Sequence, residues 1–178
     1  PGESKRIFHQ IGAGLISGIR VLTHGYDRKH LKDLTLKAYW NGESAPALHG
    51  NFGCIFSNEL GYHNVKYLLA GMTTDGSFYN NFPMPYDSGA EIVIENNGDE
   101  AITFDHIGIR YTEEFNAFYR ENAYDVFRSS PYYPKKQTVG SDSHIACIKG
   151  SGHMVSALIT GYGIEKKYGK SKQIRFYS

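Results

Sequence analysis

The chain has 178 residues, and 19 Lys and Arg against 18 Asp and Glu give it a formal net charge of +1. A near-neutral chain without a long basic run lacks the electrostatic footprint of a dedicated nucleic-acid binder. No apolar stretch approaches the roughly 18 residues that a membrane-spanning helix needs. A chain of this length folds around its own core without disulfides or a metal, so one domain over residues 1–178 is predicted.

The composition is rich in aromatic residues and glycine, with 14 Tyr, 10 Phe, 1 Trp and 20 Gly. Aromatic residues favour the half-buried surface of a sheet, and glycines supply turns between short strands. These residues predict an all-β sandwich or barrel. Cys54 and Cys147 match no zinc or redox spacing, so two buried thiols are expected rather than a disulfide. No metal site and no cofactor are expected.

The start of the chain, at Pro1, has neither the charged region nor the apolar region of a signal peptide. It indicates a processed or trimmed end. The composition is compatible with the periplasm or cell surface and equally with the cytosol.

The first predicted strand covers residues 15–22, and the segment Asp27–Leu34 predicts one helical turn. In Leu34–Trp40, apolar and polar residues alternate with the period of a strand that buries one face. This strand ends at the turn dipeptide Asn41–Gly42. Residues 67–72 predict the next strand.

A second alternating run, Ala90–Glu95, ends at the turn residues Asn96–Asp99, and apolar residues resume in Ile102–Tyr111. This order predicts a β-hairpin. The apolar phase shifts midway along the last run, which predicts a β-bulge near Asp105 or His106.

The segment Thr112–Phe127 fits an amphipathic helix and an aromatic-rich strand equally well. Further strand candidates are residues 144–148, 154–160 and 173–177. Glycines punctuate these segments, which favours a sandwich of antiparallel strands.

No local catalytic motif is present. The glycines at 12, 14 and 18 lack the flanking strand and helix of a dinucleotide loop, the eight histidines lack zinc spacing, and no Gly-x-Ser-x-Gly elbow occurs. Glycoside hydrolysis needs two facing carboxyl groups that normally come from different strands, so spacing along the chain does not identify them. The acidic candidates are Glu43, Glu59, Asp75, Asp87, Glu113, Glu114, Glu121 and Asp125.

Two segments combine aromatic rings, amides and constrained backbone, namely His49–Gly53 and Asn81–Tyr86. Ring faces stack on sugar C–H groups and amides bind hydroxyls, so one interpretation is a carbohydrate-binding surface. The alternative is that Phe52, Phe82 and Met84 belong to the core. The sequence leaves both interpretations open.

Three segments carry a family resemblance. Tyr39–Glu43 reads Tyr-Trp-Asn-Gly-Glu, Gly50–Gly53 reads Gly-Asn-Phe-Gly, and Phe82–Tyr86 reads Phe-Pro-Met-Pro-Tyr. In order, they resemble motifs of the bacterial family catalogued as domain of unknown function 2961, which includes glycoside hydrolase family 172. The chain departs from the family pattern at Asn41 and Asn51, where the family has Asp, and at Asn116, where it has His.

The resemblance implies a jelly-roll β-sandwich, the first of two in a longer protein that assembles as a homotrimer or homohexamer. It implies hydrolysis of α-D-fructofuranosides or α-D-arabinofuranosides with retention, by two glutamates. The family carries these glutamates in Glu-Gly-Asp and Gly-Thr-Glu-Asp-Tyr segments, and this sequence contains neither. The catalytic carboxylates are therefore expected beyond Ser178, and this chain alone is expected to be inactive.

The expected contribution of this domain is a wall of the sugar site, formed by Trp40, His49, Asn51, Phe52 and Tyr86. Two other functions remain as alternatives. One is a carbohydrate-binding jelly roll without catalysis, and the other is a structural or assembly protein with a capsid-like jelly roll.

Overall fold

In a computed structural model, the described residues are 2–24, 31–58, 65–113, 126–129 and 148–158. They contain nine strands and one short helix. The strands are β1 (Glu3–Ile11), β2 (Gly14–Thr23), β3 (Leu34–Trp40), β4 (Leu48–Asn51), β5 (Ala70–Met72), β6 (Phe78–Asn80), β7 (Met84–Tyr86), β8 (Gly89–Asn96) and β9 (Phe104–Thr112); the helix, α1, is Phe52–Ile55.

The strands form two antiparallel sheets. Sheet A has the order β1-β8-β3-β4. In sheet B, β9 pairs along one side of β2, β6 and β7 share its other side, and β5 pairs with β6. The chain crosses between the sheets from β1 to β2, β2 to β3, β4 to β5, β7 to β8 and β8 to β9. The predicted all-β sandwich of antiparallel strands is confirmed.

Alternation along the strands decides which side chains enter the core. In β3, the alternate residues from Leu34 to Trp40 are buried, and in β8 the buried residues are Ala90, Ile92 and Ile94. Both runs therefore bury the face that their period of two predicts. They pack against buried side chains of sheet B, including Ile19 and Phe78, in one continuous hydrophobic cluster.

The predicted hairpin between residues 90–95 and 102–111 is wrong, because β8 and β9 lie in different sheets. The turn after β8 is tied to the start of β3 instead. The backbone N–H of Asn97 donates to the carbonyl oxygen of Asp33 at 2.8 Å, and its side-chain amide donates to Thr35 Oγ1 at 3.0 Å. These bonds keep the turn on sheet A before the chain crosses to sheet B.

The predicted bulge is confirmed. Thr23 pairs with Phe104 and Leu22 pairs with His106, so Asp105 is the extra residue of β9. A similar bulge at Ile7 of β1 breaks the alternation there, which explains why the pattern did not reveal this strand.

Two further strand predictions need correction. Of residues 67–72, only 70–72 form a strand, because residues 65–72 fold into a tight hairpin in which Lys66 bridges to Gly71. The described part of 154–160 carries no strand assignment. Residues 173–177, most of 144–148, and residues 114–125 of the ambiguous segment lie outside the described residues, as does Asn116.

Residues 27–30 of the predicted helical turn, Asp27–Leu34, also lie outside the described residues, whereas Leu31 is helical and Leu34 begins β3. Cys147 is likewise not described, so the expectation of two thiols stays a prediction. In the part of the chain that the structure describes, no helix is long and apolar enough to cross a membrane.

Candidate functional site

The five side chains predicted to line a sugar site separate into two groups. Trp40, Phe52 and Tyr86 lie in the core, with 0%, 0% and 1% of their surface exposed. His49 is exposed and Asn51 is partly exposed. The five residues do not line one common surface, and their role as a sugar-binding wall stays a prediction.

Trp40 and Tyr86 form a stacked pair across the core, with ring centroids 6.4 Å apart and an interplanar angle of 11°. The hydroxyl of Tyr86 is buried and has no hydrogen-bond partner among the described residues. Burial raises the pKa of this hydroxyl above its ordinary value of 10.0, and Tyr111 and Glu113 add to the increase. The pair therefore shapes the sandwich from inside.

Phe52 packs in an aromatic cluster beneath α1. Its ring centroid lies 4.8 Å from that of Phe56, 5.6 Å from that of Phe78 and 6.2 Å from that of Phe104. Aromatic contacts of this kind stabilise a core beyond the area that they bury. For Phe52, the structure thus supports the core alternative that the sequence left open.

His49 and Asn51 follow the alternation of β4 and lie on the outer face of sheet A. His49 pairs in register with Lys37, and Asn51 pairs with Thr35, while the buried Leu48 and Gly50 occupy the inner face. This outer face also carries an ion pair between Lys37 and Glu95, in which Nζ and Oε1 lie 2.7 Å apart.

Residues 126–129 (the strap) are fastened to β3 and β4. The first two of them end the candidate segment Thr112–Phe127, and they carry neither a helix nor a strand assignment. The indole Nε1 of Trp40 donates to the carbonyl oxygen of Phe127 at 2.7 Å. Ser129 exchanges hydrogen bonds with the backbone of His49 at 2.8 and 3.0 Å, and its N–H donates to the carbonyl oxygen of Ala47 at 2.9 Å. Phe127 also stacks on Phe82, with centroids 5.3 Å apart.

An open cleft of about 410 Å³ lies at one end of sheet A. It is bounded by the end of β1, the end of β3 with the turn that follows it, and the start of β8. Side chains along it include His9, Gln10, Tyr39, Glu43, Ser88 and Glu91.

The register of sheet A brings three of these side chains into one row. Glu91 of β8 pairs with His9 of β1 on one side and with Tyr39 of β3 on the other. The neighbouring residues of β8, Ala90 and Ile92, are buried, so the row lies on the outer face.

Two arginines neutralise the carboxylates of the cleft. Arg6 Nη1 lies 3.3 Å from Glu91 Oε2. Arg128 of the strap binds Glu43 with both terminal nitrogens, at 3.0 Å to Oε2 and 2.5 Å to Oε1. Each of the two glutamates of the cleft therefore has an arginine partner.

The turn that carries Glu43 is held by Asn41. Asn41 and Gly42 have φ values of 56° and 73°, and the N–H of Glu43 donates to the carbonyl oxygen of Trp40 at 2.9 Å. Asn41 Oδ1 accepts the backbone N–H groups of Asp87 and Ser88 at 2.7 and 2.9 Å. At this position, where the resembling family has Asp, the residue acts as a structural acceptor that joins β3 to the turn between β7 and β8.

The groups of the cleft match the chemistry of a polyol. The two carboxylates and the amide of Gln10 are groups that hydrogen-bond hydroxyls, and the imidazole of His9 supplies a donor or an acceptor. The ring of Tyr39 and an exposed apolar side chain suit contact with C–H groups. The apolar side chain is that of Ile11, which is 78% exposed at the rim.

Sequence reasoning missed most of this constellation because His9, Tyr39 and Glu91 come from three strands and meet only through register. A signal was present for Tyr39 and Glu43, which begin and end the segment that carries the resemblance, and Glu43 is also one of the acidic candidates.

Comparison with known proteins agrees with that resemblance. A family model described as GH172 domain-like matches residues 1–109, which extend from β1 into β9 and include the strands and the turn of the cleft. Among curated proteins, none matches the chain significantly. Because the family model covers more than half of the 178 residues, the chain belongs to the GH172 domain-like family.

Proposed function

We propose that this chain is the N-terminal β-sandwich of a glycoside hydrolase that acts on α-D-fructofuranosides or α-D-arabinofuranosides, and that its cleft binds the sugar. The observation that carries the proposal is the cleft itself, where His9, Tyr39 and Glu91 lie in one row beside Glu43. Membership of a glycoside hydrolase-related family supports the reaction class.

The catalytic pair of the proposed retaining mechanism lies outside this chain. A retaining glycosidase needs one carboxylic acid that donates a proton and one carboxylate that attacks the anomeric carbon. Glu43 and Glu91 are each paired with an arginine, and in this proposal their carboxylates accept hydrogen bonds from sugar hydroxyl groups.

The first experiment tests where the catalytic acids are. The 178-residue chain is incubated with p-nitrophenyl α-D-arabinofuranoside, and release of p-nitrophenol is followed by absorbance. No turnover is expected. Turnover that disappears in Glu43→Gln or Glu91→Gln would show that the cleft carboxylates catalyse the reaction and that their placement outside the chain is wrong.

The second experiment tests the cleft as a sugar site. Binding of methyl α-D-arabinofuranoside and of D-fructose is measured by ligand-detected NMR for the wild type and for Tyr39→Ala, which removes an outward-facing ring from the cleft. The matched control is Tyr79→Ala, a partly exposed tyrosine of sheet B. We expect weaker binding only for the cleft variant; equal loss in both variants, or no binding by the wild type, would contradict the proposal.

A carbohydrate-binding module without catalysis is the second candidate function, and the arginine partners of both cleft glutamates favour it. Sugar binding without turnover by the longest natural form of the protein would support this candidate over the enzyme. Assembly as a homotrimer or homohexamer is part of the proposal, and light scattering separates either state from the much larger mass of a capsid-like shell.

A further inference from the structure

Arg128 and Glu43 form a bidentate ion pair at a partly exposed place beside the cleft. The two side chains are 54% and 31% exposed. Ion pairs at exposed positions contribute little to stability, commonly about 0–1 kcal/mol, because solvent screens them and side-chain entropy opposes them. A bidentate arginine contact adds geometric specificity, so it fixes the orientation of the Glu43 carboxylate.

The backbone is fixed on both sides of this pair. On one side, the turn at Asn41 and Gly42 holds Glu43 through its bond to Trp40. On the other side, the residues flanking Arg128 are the two fastened residues of the strap, Phe127 and Ser129. Little conformational freedom therefore remains for the pair to lose when it binds a third group.

The geometry also leaves acceptor capacity on Glu43. An ionised carboxylate offers about four lone-pair positions on its two oxygens. Arg128 contacts each oxygen once. One position on each oxygen thus remains for a donor in the cleft, and the hydroxyl groups of a neutral sugar are such donors.

We propose that Arg128 is a positioning residue that presents the carboxylate of Glu43 to two adjacent hydroxyl groups of a neutral furanose. The inference rests on the proposed function, since it requires the cleft to bind sugar. The inference adds that sugar affinity depends on a residue of the strap. The strap lies outside residues 1–109, the part of the chain that the family model matches. Arg128 acts through Glu43 and needs no contact with the sugar itself.

A double-mutant cycle tests this dependence. Dissociation constants for methyl α-D-arabinofuranoside are measured by NMR titration for the wild type, Arg128→Gln, Glu43→Gln and the double variant. Loss of a hydrogen bond to a charged group reduces affinity by about tenfold or more. We expect Arg128→Gln to weaken binding about tenfold, Glu43→Gln to weaken it at least as much, and the double variant to match Glu43→Gln alone.

Two further variants separate orientation from charge and from general loss of surface ion pairs. Arg128→Lys keeps the charge but loses the planar fork, so it is expected to restore only a small part of the affinity. Arg20→Gln is the matched control, because Arg20 forms an exposed ion pair with Asp75 at 2.8 Å in sheet B. Its affinity is expected to equal that of the wild type.

Several outcomes overturn the inference while leaving the proposed function intact. These are unchanged affinity in Arg128→Gln, additive losses in the double variant, and full recovery in Arg128→Lys. A wild type that does not bind the probe would instead refute the proposed function and this inference together. Melting temperatures close to that of the wild type verify that the variants are folded.

Discussion

The indole Nε1 of Trp40 donates a 2.7 Å hydrogen bond to the carbonyl oxygen of Phe127. Trp40 is fully buried in β3, whereas Phe127 belongs to the strap and is partly exposed. The bond therefore links the core of the sandwich to the segment that carries Arg128. Loss of this hydrogen bond should therefore lower the stability of the fold and disturb the position of Arg128 beside the cleft.

Replacing Trp40 with Phe removes this donor and part of a buried ring. The lost hydrogen bond and the reduced packing are expected to lower the free energy of unfolding by about 2–4 kcal/mol, measured by urea denaturation. Tyr86→Phe is the matched control, because it alters the stacked partner of Trp40 without removing a hydrogen bond seen among the described residues. Equal stability of the two variants would contradict a structural role for the Trp40 bond.

The Tyr86 control carries its own prediction. A buried hydroxyl without a partner opposes folding, so Tyr86→Phe is expected to leave the free energy of unfolding unchanged or to raise it by up to about 1 kcal/mol at neutral pH.

The same variant also tests how the free energy of unfolding depends on pH. The folded state raises the pKa of Tyr86 above 10.0, so the unfolded chain loses this proton first as the pH rises. The stability linked to the neutral hydroxyl is complete below about pH 10 and decreases above it. Between about pH 9 and pH 11, the wild type should therefore lose more stability than Tyr86→Phe, and parallel curves for the two proteins would refute this linkage.

For Asp75 we expect the opposite dependence, in which the stability of the fold decreases as the pH falls. A hydrogen bond from the Thr73 hydroxyl, followed by one from the backbone N–H of Ser77, lowers the pKa of Asp75 from 3.8 to about 2. The unfolded chain then binds a proton first as the pH falls, so the stabilisation is present above pH 3.8 and disappears as the pH decreases towards about 2.

Acid-induced unfolding followed by circular dichroism tests this prediction. Asp75→Asn should flatten the loss of stability in that acidic range. Asp99→Asn, which removes another exposed carboxylate, should retain the slope of the wild type. An equal change in both variants would point to net charge rather than to the turn at Thr73.

A side chain added at Gly14, the first residue of β2, is expected to clash with its neighbours. A Cβ added there would lie 2.3 Å from the Tyr86 hydroxyl oxygen and 2.8 Å from the carbonyl oxygen of Thr112. Gly14→Ala is therefore expected to lower the free energy of unfolding by about 1–3 kcal/mol, as overpacking does. Gly152→Ala is the control, since a Cβ there meets no atom within 4 Å, and a silent Gly14→Ala would show that this end of the sandwich can expand.

The strands whose alternation is regular could be predicted from the sequence. Leu34–Trp40 and the run from Ala90 bury the expected faces, and even the bulge at Asp105 is visible as a phase shift. The separation of β8 and β9 into different sheets could not be predicted, because each strand buries the same apolar face in either sheet. The bonds from Asn97 to Asp33 and Thr35, which decide between the sheets, have no signal in the pattern.

In the candidate site, too, features along one strand could be predicted, whereas features that depend on pairing between strands could not. The alternation of β3 places Trp40 on the inner face, and the structure shows this side chain fully buried there. Its part in a wall of the sugar site stays a prediction. The row of His9, Glu91 and Tyr39 depends on register across three strands. Register is set by contacts that are distant along the chain, so a one-dimensional pattern does not contain it.

The amide of Asn41 makes one end of the sandwich insensitive to proton concentration. A carboxylate at this position would lose acceptor capacity when it is protonated, but an amide oxygen keeps its bonds to Asp87 and Ser88 across the whole accessible pH range. Acidification would therefore leave in place the turn that shapes the cleft.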